Sequence, residues 1–274
     1  MNEVVDPSRR LAGWWWCFSG IVGREMLRFV MQRGRFLSAL VRPLVWLFVF
    51  AAGFRSGLGL SIVPPYPTYV LYETWVTPGL CAMILLFGAM QSSLSMVYDR
   101  EMGSMRVLLT SPFPRWFLLV SKLVAGVLVC VVQVYVFLAV AWAWEVRPPA
   151  IGWIAVLPAL ILAGAMLGAI GLVLSSAIRQ LENFASVMNF VIFPMFFTST
   201  ALYPLWKIED SSPLLAEIAR LNPFTHAVEL IRFALWGRFE PVSAAVVAAT
   251  TAVALARSEE HTSELQSQFR ISYA

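Results

Sequence analysis

Lysine is almost missing from this chain: Lys122 and Lys207 are the only two in 274 residues. Neither sits in a G-x-x-x-x-G-K-[ST] run, so no phosphate-cradling loop is encoded and the chain reads as lacking an ATPase site of its own. Histidine is as scarce, with His226 and His261 alone, and both H-E-x-x-H and G-x-S-x-G are missing. A zinc or serine intramembrane hydrolase therefore has no nucleophile or metal constellation to use, and the chain is expected to carry no catalytic residue, metal or cofactor. Cys17, Cys81 and Cys130 stand in apolar settings without a CxxC pair, which argues against a disulfide framework and leaves them as small hydrophobes. Charge as a whole is thin, at 13% of residues, and acidic side chains hardly enter the apolar runs. Proton- and ion-driven carriers need ionisable groups at mid-membrane depth, so gradient-driven transport is disfavoured.

What the chain has instead is apolar length. Hydrophobic residues make up 59% of it and mean hydropathy is +0.73, a combination that belongs to an integral membrane protein. The apolar runs are continuous rather than alternating, and backbone groups in hydrocarbon must be paired within their own segment. The spans are therefore helices and not a barrel, and the expected fold is all-α. The formal net charge of +4 could hint at nucleic acid, but the basic residues gather near the N-terminus and in short loops, where membrane orientation places them. The expected partner is the lipid bilayer, with no nucleic acid.

Residues 1–35 form an N-terminal segment whose apolar run, 11–18, is too brief for a spanning helix or a secretory signal, so no cleavable segment is assigned. Over 18–35, Arg24, Arg28, Gln32 and Arg35 recur at helical spacing while Phe18, Val22, Met26, Phe29 and Val30 take another face. That is the pattern of an interfacial amphipathic helix, and Trp14, Trp15 and Trp16 beside it suit an anionic headgroup layer. A cytoplasmic helix packed on a partner would show the same pattern.

Residues 36–256 then supply a six-helix transmembrane domain, with spans at 36–54, 76–98, 117–144, 154–178, 184–203 and a short last one at 242–256. Arg42 and Lys122 lie near inner span ends, where long stems can snorkel to the interface, although a pore role competes for Arg42. Gly164, Ala165, Gly168, Ala169 and Gly171 give the fourth span a face of small residues that lets helices approach closely, within one subunit or at a dimer seam. The outer loop 55–72, with Pro64, Pro65 and Pro67, is irregular.

Residues 204–240 mix Lys207, Glu209, Asp210, Glu217, Arg220, Glu229 and Arg232 with apolar stretches too short to span. With the break at Asn222-Pro223, the segment reads as a re-entrant outer helical hairpin, two short helices dipping into the outer leaflet, a geometry tolerated where protein or water covers the backbone. A plain external hairpin is the alternative. Arginine and lysine are in excess on the side that holds the N-terminus, which makes that side cytoplasmic. Trp75, Trp142, Trp144, Trp153, Trp206 and Trp236 fall at outer span ends, where amphipathic rings favour the interface.

The densest cluster of charge, glycine and proline in the middle of the chain is 98–116. Asp99, Arg100 and Glu101 lead, Gly103 and Ser104 follow, Met105 to Leu109 make an apolar turn, and Ser111-Pro112-Phe113-Pro114 stops any helix. This is a short helix lying across a membrane surface, or a loop that only connects. The run DRE-x-G-S-M-x-x-LL-x-SP-x-x-RW, continued by Ser121-Lys122-Leu123, resembles the first cytoplasmic loop of permease subunits in the ABC type-2 exporter superfamily. Asn222-Pro223-Phe224-Thr225-His226-Ala227, followed by Glu229 and Arg232, is similar to the stretch before the last membrane helix in the same family. The two blocks occur in the right order with matching spans over residues 24–256, and Arg106 departs from the acidic residue many relatives carry there.

The resemblance implies the membrane-spanning permease subunit of an ATP-driven ABC exporter in a bacterial inner membrane, with its N-terminus cytoplasmic. It implies two copies forming the substrate pathway, each docked on a separate ABC ATP-binding subunit that would bind the ATP and Mg. Asp99, Arg100, Glu101, Gly103, Ser104, Arg106, Ser111, Pro112 and Arg115 would couple to that ATPase, and Asn222, Pro223, His226, Glu229 and Arg232 would form the gate. The whole sequence is also similar to permeases found beside pyrroloquinoline-quinone-dependent alcohol oxidation systems in Gram-negative bacteria. A non-transport membrane scaffold or channel component is the competing class.

At residue 257 the composition changes abruptly to RSEEHTSELQSQFRISYA. Residues 258–268 have no hydrophobic period, and the stretch resembles translated sequencing-adapter read-through. Residues 257–274 are accordingly read as a non-native tail, with a genuine short cytoplasmic tail as the alternative.

Overall fold

The computed structural model describes the backbone of residues 7–31, 33–50, 64–66, 70–102, 113–144, 146–178 and 180–271. Within these, side chains are described for all but residues 7–12, 33, 35, 50, 99, 100, 115, 185 and 259–271. The regular structure of the described residues is all helix, without a strand, as continuous apolar runs require. Helix α1 (Pro7–Met31) is followed by α2 (Arg33–Val45), which carries Pro43 inside it and widens into a π-helical turn at Trp46–Phe50. The lost proline N–H loosens the ladder just before the turn that widens.

Then come α3 (Tyr72–Glu101), α4 (Arg115–Ala143), α5 (Ala150–Ala177) and α6 (Leu181–Phe197). Three short helices follow, α7 (Leu205–Ser211), α8 (Pro213–Leu221) and α9 (Pro223–Leu235), and α10 (Pro241–Ile271) is the last described element. Proline sets most of the starting points. Pro114, Pro149 and Pro204 stand at N-caps and Pro213 and Pro223 at first-turn positions, where a fixed φ helps and a missing N–H has no partner to lose.

Four helical segments are long and apolar enough to cross a membrane: Tyr72–Tyr98, Trp116–Ala143, Ala150–Ala177 and Pro241–Ser258. Phe36–Val49 and Leu181–Phe197 are apolar but shorter. The protein is thus an all-α, multi-pass membrane protein. The last apolar segment is longer than the 242–256 run suggests, and helical backbone continues from it to Ile271.

Helix α5 is the hub of the bundle, packed against α3, α4, α9 and α10. Leu85, Val134, Phe137, Leu160 and Met166 are buried where these helices meet. Its small-residue face is used inside the subunit. A β-carbon at Gly164 would lie 3.0 Å from Val127 Cγ1, and one at Gly168 would lie 3.1 Å from Leu123 Cδ1. Gly152 of α5 and Gly79 of α3 meet backbone instead: Gly152 abuts the Leu235 carbonyl at the end of α9, and Gly79 abuts Ala201.

Three sequence expectations are corrected here. The 204–240 segment folds as three short helices rather than two, because Ser212-Pro213 divides it as firmly as Asn222-Pro223 does. Helix α9 is packed against α3, α5 and α10, whereas α8 leaves Leu214 and Leu221 exposed. Lys122 is buried in α4 instead of reaching for the interface, and Trp75 is buried instead of anchoring in headgroups.

Candidate functional site

Of the residues expected to couple to an ATPase, Gly103, Ser104, Arg106, Ser111 and Pro112 lie outside the described residues, as do the side chains of Asp99, Arg100 and Arg115. Asp99, Arg100 and Glu101 form the last helical residues of α3, and Arg115 is the first of α4. The Leu181 backbone N–H donates to Glu101 Oε1 at 2.9 Å. Gln180, the N-cap of α6, is extended (φ −104°, ψ 134°) and its own side chain makes no cap bond; it accepts from Asn183 Nδ2 at 2.7 Å instead. Glu101 supplies the missing cap from another helix, and a carboxylate beside a helix N-terminus is worth about 0.3–1 kcal/mol at an exposed position. The end of α3 is thereby tied to the start of α6.

The other end of the loop is tied to α1. Trp14 meets Phe117 at a centroid distance of 4.7 Å, Trp116 at 5.8 Å and Phe113 edge-on at 6.2 Å, arrangements that favour aromatic pairs. Helix α1 is therefore packed against α4 along one face. On its free side Arg24 and Arg28 are exposed, 3.0 and 3.8 Å from the Glu25 carboxylate, with Trp15 and Trp16 exposed nearby. The side chain of Arg35 lies outside the described residues.

The residues expected to form a gate lie along α9 and its N-cap, and Arg232 near the end of α9 meets Trp75 at the start of α3. Asn222 is buried and accepts from Phe224 N–H at 3.0 Å, capping α9. Its Nδ2 donates to Met195 O at 2.8 Å and Thr198 Oγ1 at 3.1 Å, which fastens α9 to the end of α6. Pro223 is the first residue of α9, and His226 Nε2 lies 3.1 Å from the Arg220 carbonyl, bridging back to α8. Glu229 accepts from Thr200 Oγ1 at 2.7 Å and pairs with Arg232, one turn along.

Arg232 is wholly buried. It donates to the Thr200 carbonyl at 2.9 Å, and its guanidinium carbon lies 3.8 Å from the Trp75 ring centroid. A charge removed from water needs this kind of full enclosure, an acid, a carbonyl and an aromatic face together. Tyr66 and Trp236 close the cluster at 5.1 Å from one another, with Tyr66 5.9 Å from Trp75. The Tyr66 hydroxyl donates to Thr74 O at 3.3 Å, and burial pushes its phenol above the ordinary tyrosine value. Arg232 Nε and Trp75 Nε1 have no hydrogen-bond partner among the described residues.

Sequence reasoning found the acid–base pair and missed Trp75, Thr200, Tyr66 and Trp236. One signal could have led to them: an arginine in the apolar run Leu230-Ile231-Arg232-Phe233 must find partners outside its own helix. Glu101 and the Arg232 cluster stand far apart. They occupy the two ends of α3, a helix of 30 residues, roughly 45 Å at 1.5 Å per residue.

A family model described as ABC-2 type transporter matches residues 17–236, a stretch that contains both ends of α3 and the whole Arg232 cluster. The chain belongs to the ABC-2 type transporter family. Among relatives of this ABC-2 chain, transport permease ycf38 of Porphyra purpurea is 27% identical over 78% of this chain and 72% of its own length. Its counterpart in Cyanophora paradoxa is 28% identical over the same shares. The multidrug ABC transporter permease YbhR of Escherichia coli K12 is 30% identical over 59% of this chain and 43% of its own length. The ABC-2 family and these permeases agree with the fold above, a membrane transport subunit built from apolar helices.

Proposed function

We propose that this ABC-2 chain is the permease subunit of an ATP-driven exporter, with a six-span core, working as two copies, each coupled to a separate ATP-binding subunit that carries the ATP and Mg. The observation that carries the reading is α3 itself: one unbroken helix has the charged 98–116 loop at one end and the buried Arg232 cluster at the other. A push on the loop would be delivered to α1 through Trp14, to α6 through Glu101, and along α3 to the helices that meet at Trp75. Asp99, Arg100, Gly103, Ser104, Arg106, Ser111, Pro112 and Arg115 face the motor in this scheme, while Asn222, Pro223, His226, Glu229 and Arg232 hold the gate. The low density of polar groups in the apolar helices suits an amphiphilic or lipid-linked cargo over a small ion. The membrane is a bacterial inner membrane with the N-terminus cytoplasmic, as the arginine excess argues.

The test is co-expression with an ABC ATP-binding subunit, followed by ATP hydrolysis and cargo efflux in liposomes. Co-purification, with Gly103→Pro uncoupling hydrolysis from efflux while leaving insertion intact, is the expected result. Failure of the two subunits to associate, or transport unchanged in the variant, removes the loop from the mechanism.

A further inference from the structure

Glu101 belongs to the loop that would receive the motor, and a charged residue there is ordinarily assigned to the surface that touches the motor. The hydrogen bonding assigns it elsewhere. Its Oε1 is engaged by the Leu181 N–H at 2.9 Å, across a sequence separation of 80 residues. That amide is the first of α6, in the turn where helix donors lack internal partners. The Gln180 side chain makes no cap bond to α6 and is turned to Asn183, and the N–H next to an N-cap is beyond that residue's own side-chain reach. The bond therefore joins two helices that the chain connects only through α4 and α5, and it does so on the loop side, after α3 has passed through the bundle.

We propose that Glu101 is a positioning residue internal to the permease: it carries movement of the 98–116 loop directly into α6, and does not dock on the ATPase. This rests on the proposed function for the source of the movement. It goes beyond it in giving α6 its own input, separate from the path along α3. Helix α6 is the element whose far end holds Met195 and Thr198 on Asn222, so the same gate region would receive two inputs, one through α3 and one through α6.

A local cap and a mechanical tie make opposite demands, and this separates them. Gln180→Ser places a good capping side chain at the start of α6, restoring a cap in a Glu101→Ala background without restoring any tie to α3. Spin labels at Ser186→Cys on α6 and Val120→Cys on α4, in a chain with Cys17, Cys81 and Cys130 replaced by alanine, report helix movement in the full complex in nanodiscs. ATP with vanadate is the stimulus, so no cargo is needed.

The expected result is a nucleotide-driven distance change in the parent chain that is lost in Glu101→Ala, stays lost in Glu101→Ala/Gln180→Ser, and returns in Glu101→Gln, which keeps an acceptor oxygen. Affinity for the ATPase subunit should shift by less than about threefold in Glu101→Ala, since truncating a charge paired in a buried docking contact costs far more. Recovery of the movement in the double variant would reduce Glu101 to a helix cap, and a larger fall in ATPase affinity would return it to the docking surface. Either outcome overturns the proposal, as does an Ala variant that moves like the parent. A parent chain that binds the ATPase but does not respond to nucleotide would sink the transport reading and this inference with it. Amide exchange at Leu181 in the isolated permease reads the contact alone, and no acceleration in Glu101→Ala would overturn the inference while leaving the transport reading untouched.

Discussion

Arg232 lies face-on against Trp75, its guanidinium carbon 3.8 Å from the ring centroid and none of the arginine open to solvent. The pair joins α9 to the start of α3 with a contact that neither residue advertises in sequence. Around it, Glu229 and the Thr200 carbonyl complete the enclosure.

The first prediction follows from that enclosure. Removing one partner of a buried pair costs roughly 3–5 kcal/mol because the other charge is left uncompensated. Glu229 keeps 23% exposure, so Arg232→Ala should fall at the low end of that range. Arg232→Lys should recover only part of the loss, since an ammonium cannot stack on Trp75 and fork to two oxygens at once. Thermal unfolding in lipid or detergent is the measurement, with exposed Arg238→Ala as the control. Equal melting of the Arg232 and Arg238 variants would show the cluster to be energetically idle.

Glycine packing separates backbone contacts from side-chain ones. At Gly152 and Gly79 an added methyl would meet the backbone at Leu235 and Ala201, which cannot turn aside. Alanine at either position should destabilise by about 1–3 kcal/mol, the usual cost of overpacking. At Gly164 the neighbour is the Val127 side chain, at 3.0 Å, and a small adjustment accommodates the methyl, so Gly164→Ala should be milder. The same ranking read by unfolding midpoints supports this account; a Gly164 variant worse than Gly152 contradicts it.

Helix α1 should be separable from the bundle without unfolding it. Trp14→Ala removes the side chain that meets Phe113, Trp116 and Phe117, and trypsin should then cut faster after Arg24 and Arg28 while the global melting point moves little. Trp15→Ala and Trp16→Ala, at exposed positions, should leave cleavage unchanged and weaken association of an isolated α1 peptide with anionic vesicles. Indistinguishable cleavage of all three variants would rule out Trp14 as the anchor.

Tyr66 gives a pH prediction with a definite sign. Its phenol is raised above the ordinary value of 10.0, with burial the largest cause, so between those two values the folded state holds a proton that the unfolded state has lost. Stability from this group is fully present below about pH 10 and declines as pH rises from there toward the folded-state value. Tyr66→Phe should flatten that alkaline decline. A parent and variant that lose stability in parallel above pH 10 would show that another group is responsible.

The membrane class, the helical fold and the positions of the apolar helices were legible because continuous hydrophobicity has one physical solution in lipid. The Asn222-Pro223 break and the Glu229–Arg232 pair were legible because both are local in sequence. What escaped were relations between distant segments. Trp75 reads as an interface anchor by position, and only the arrival of Arg232 from α9 makes it a buried cation site. Lys122 reads as a snorkelling side chain because of its place near a span end, yet it is buried. Ser212-Pro213 is masked as a helix boundary in the sequence because the residues after it keep an apolar period.

Asn222 carries a consequence for how the molecule ages. Asparagine side chains deamidate when the backbone nitrogen of the following residue attacks the amide and closes a succinimide ring. Here that nitrogen belongs to Pro223 and has no hydrogen to lose. The Nδ2 that would leave is held by Met195 O and Thr198 Oγ1. Conversion to aspartate would exchange two donated bonds for a carboxylate facing a carbonyl. The residue whose spontaneous decay would undo the joint between α6 and α9 is thus the one whose neighbour blocks the ordinary route of that decay.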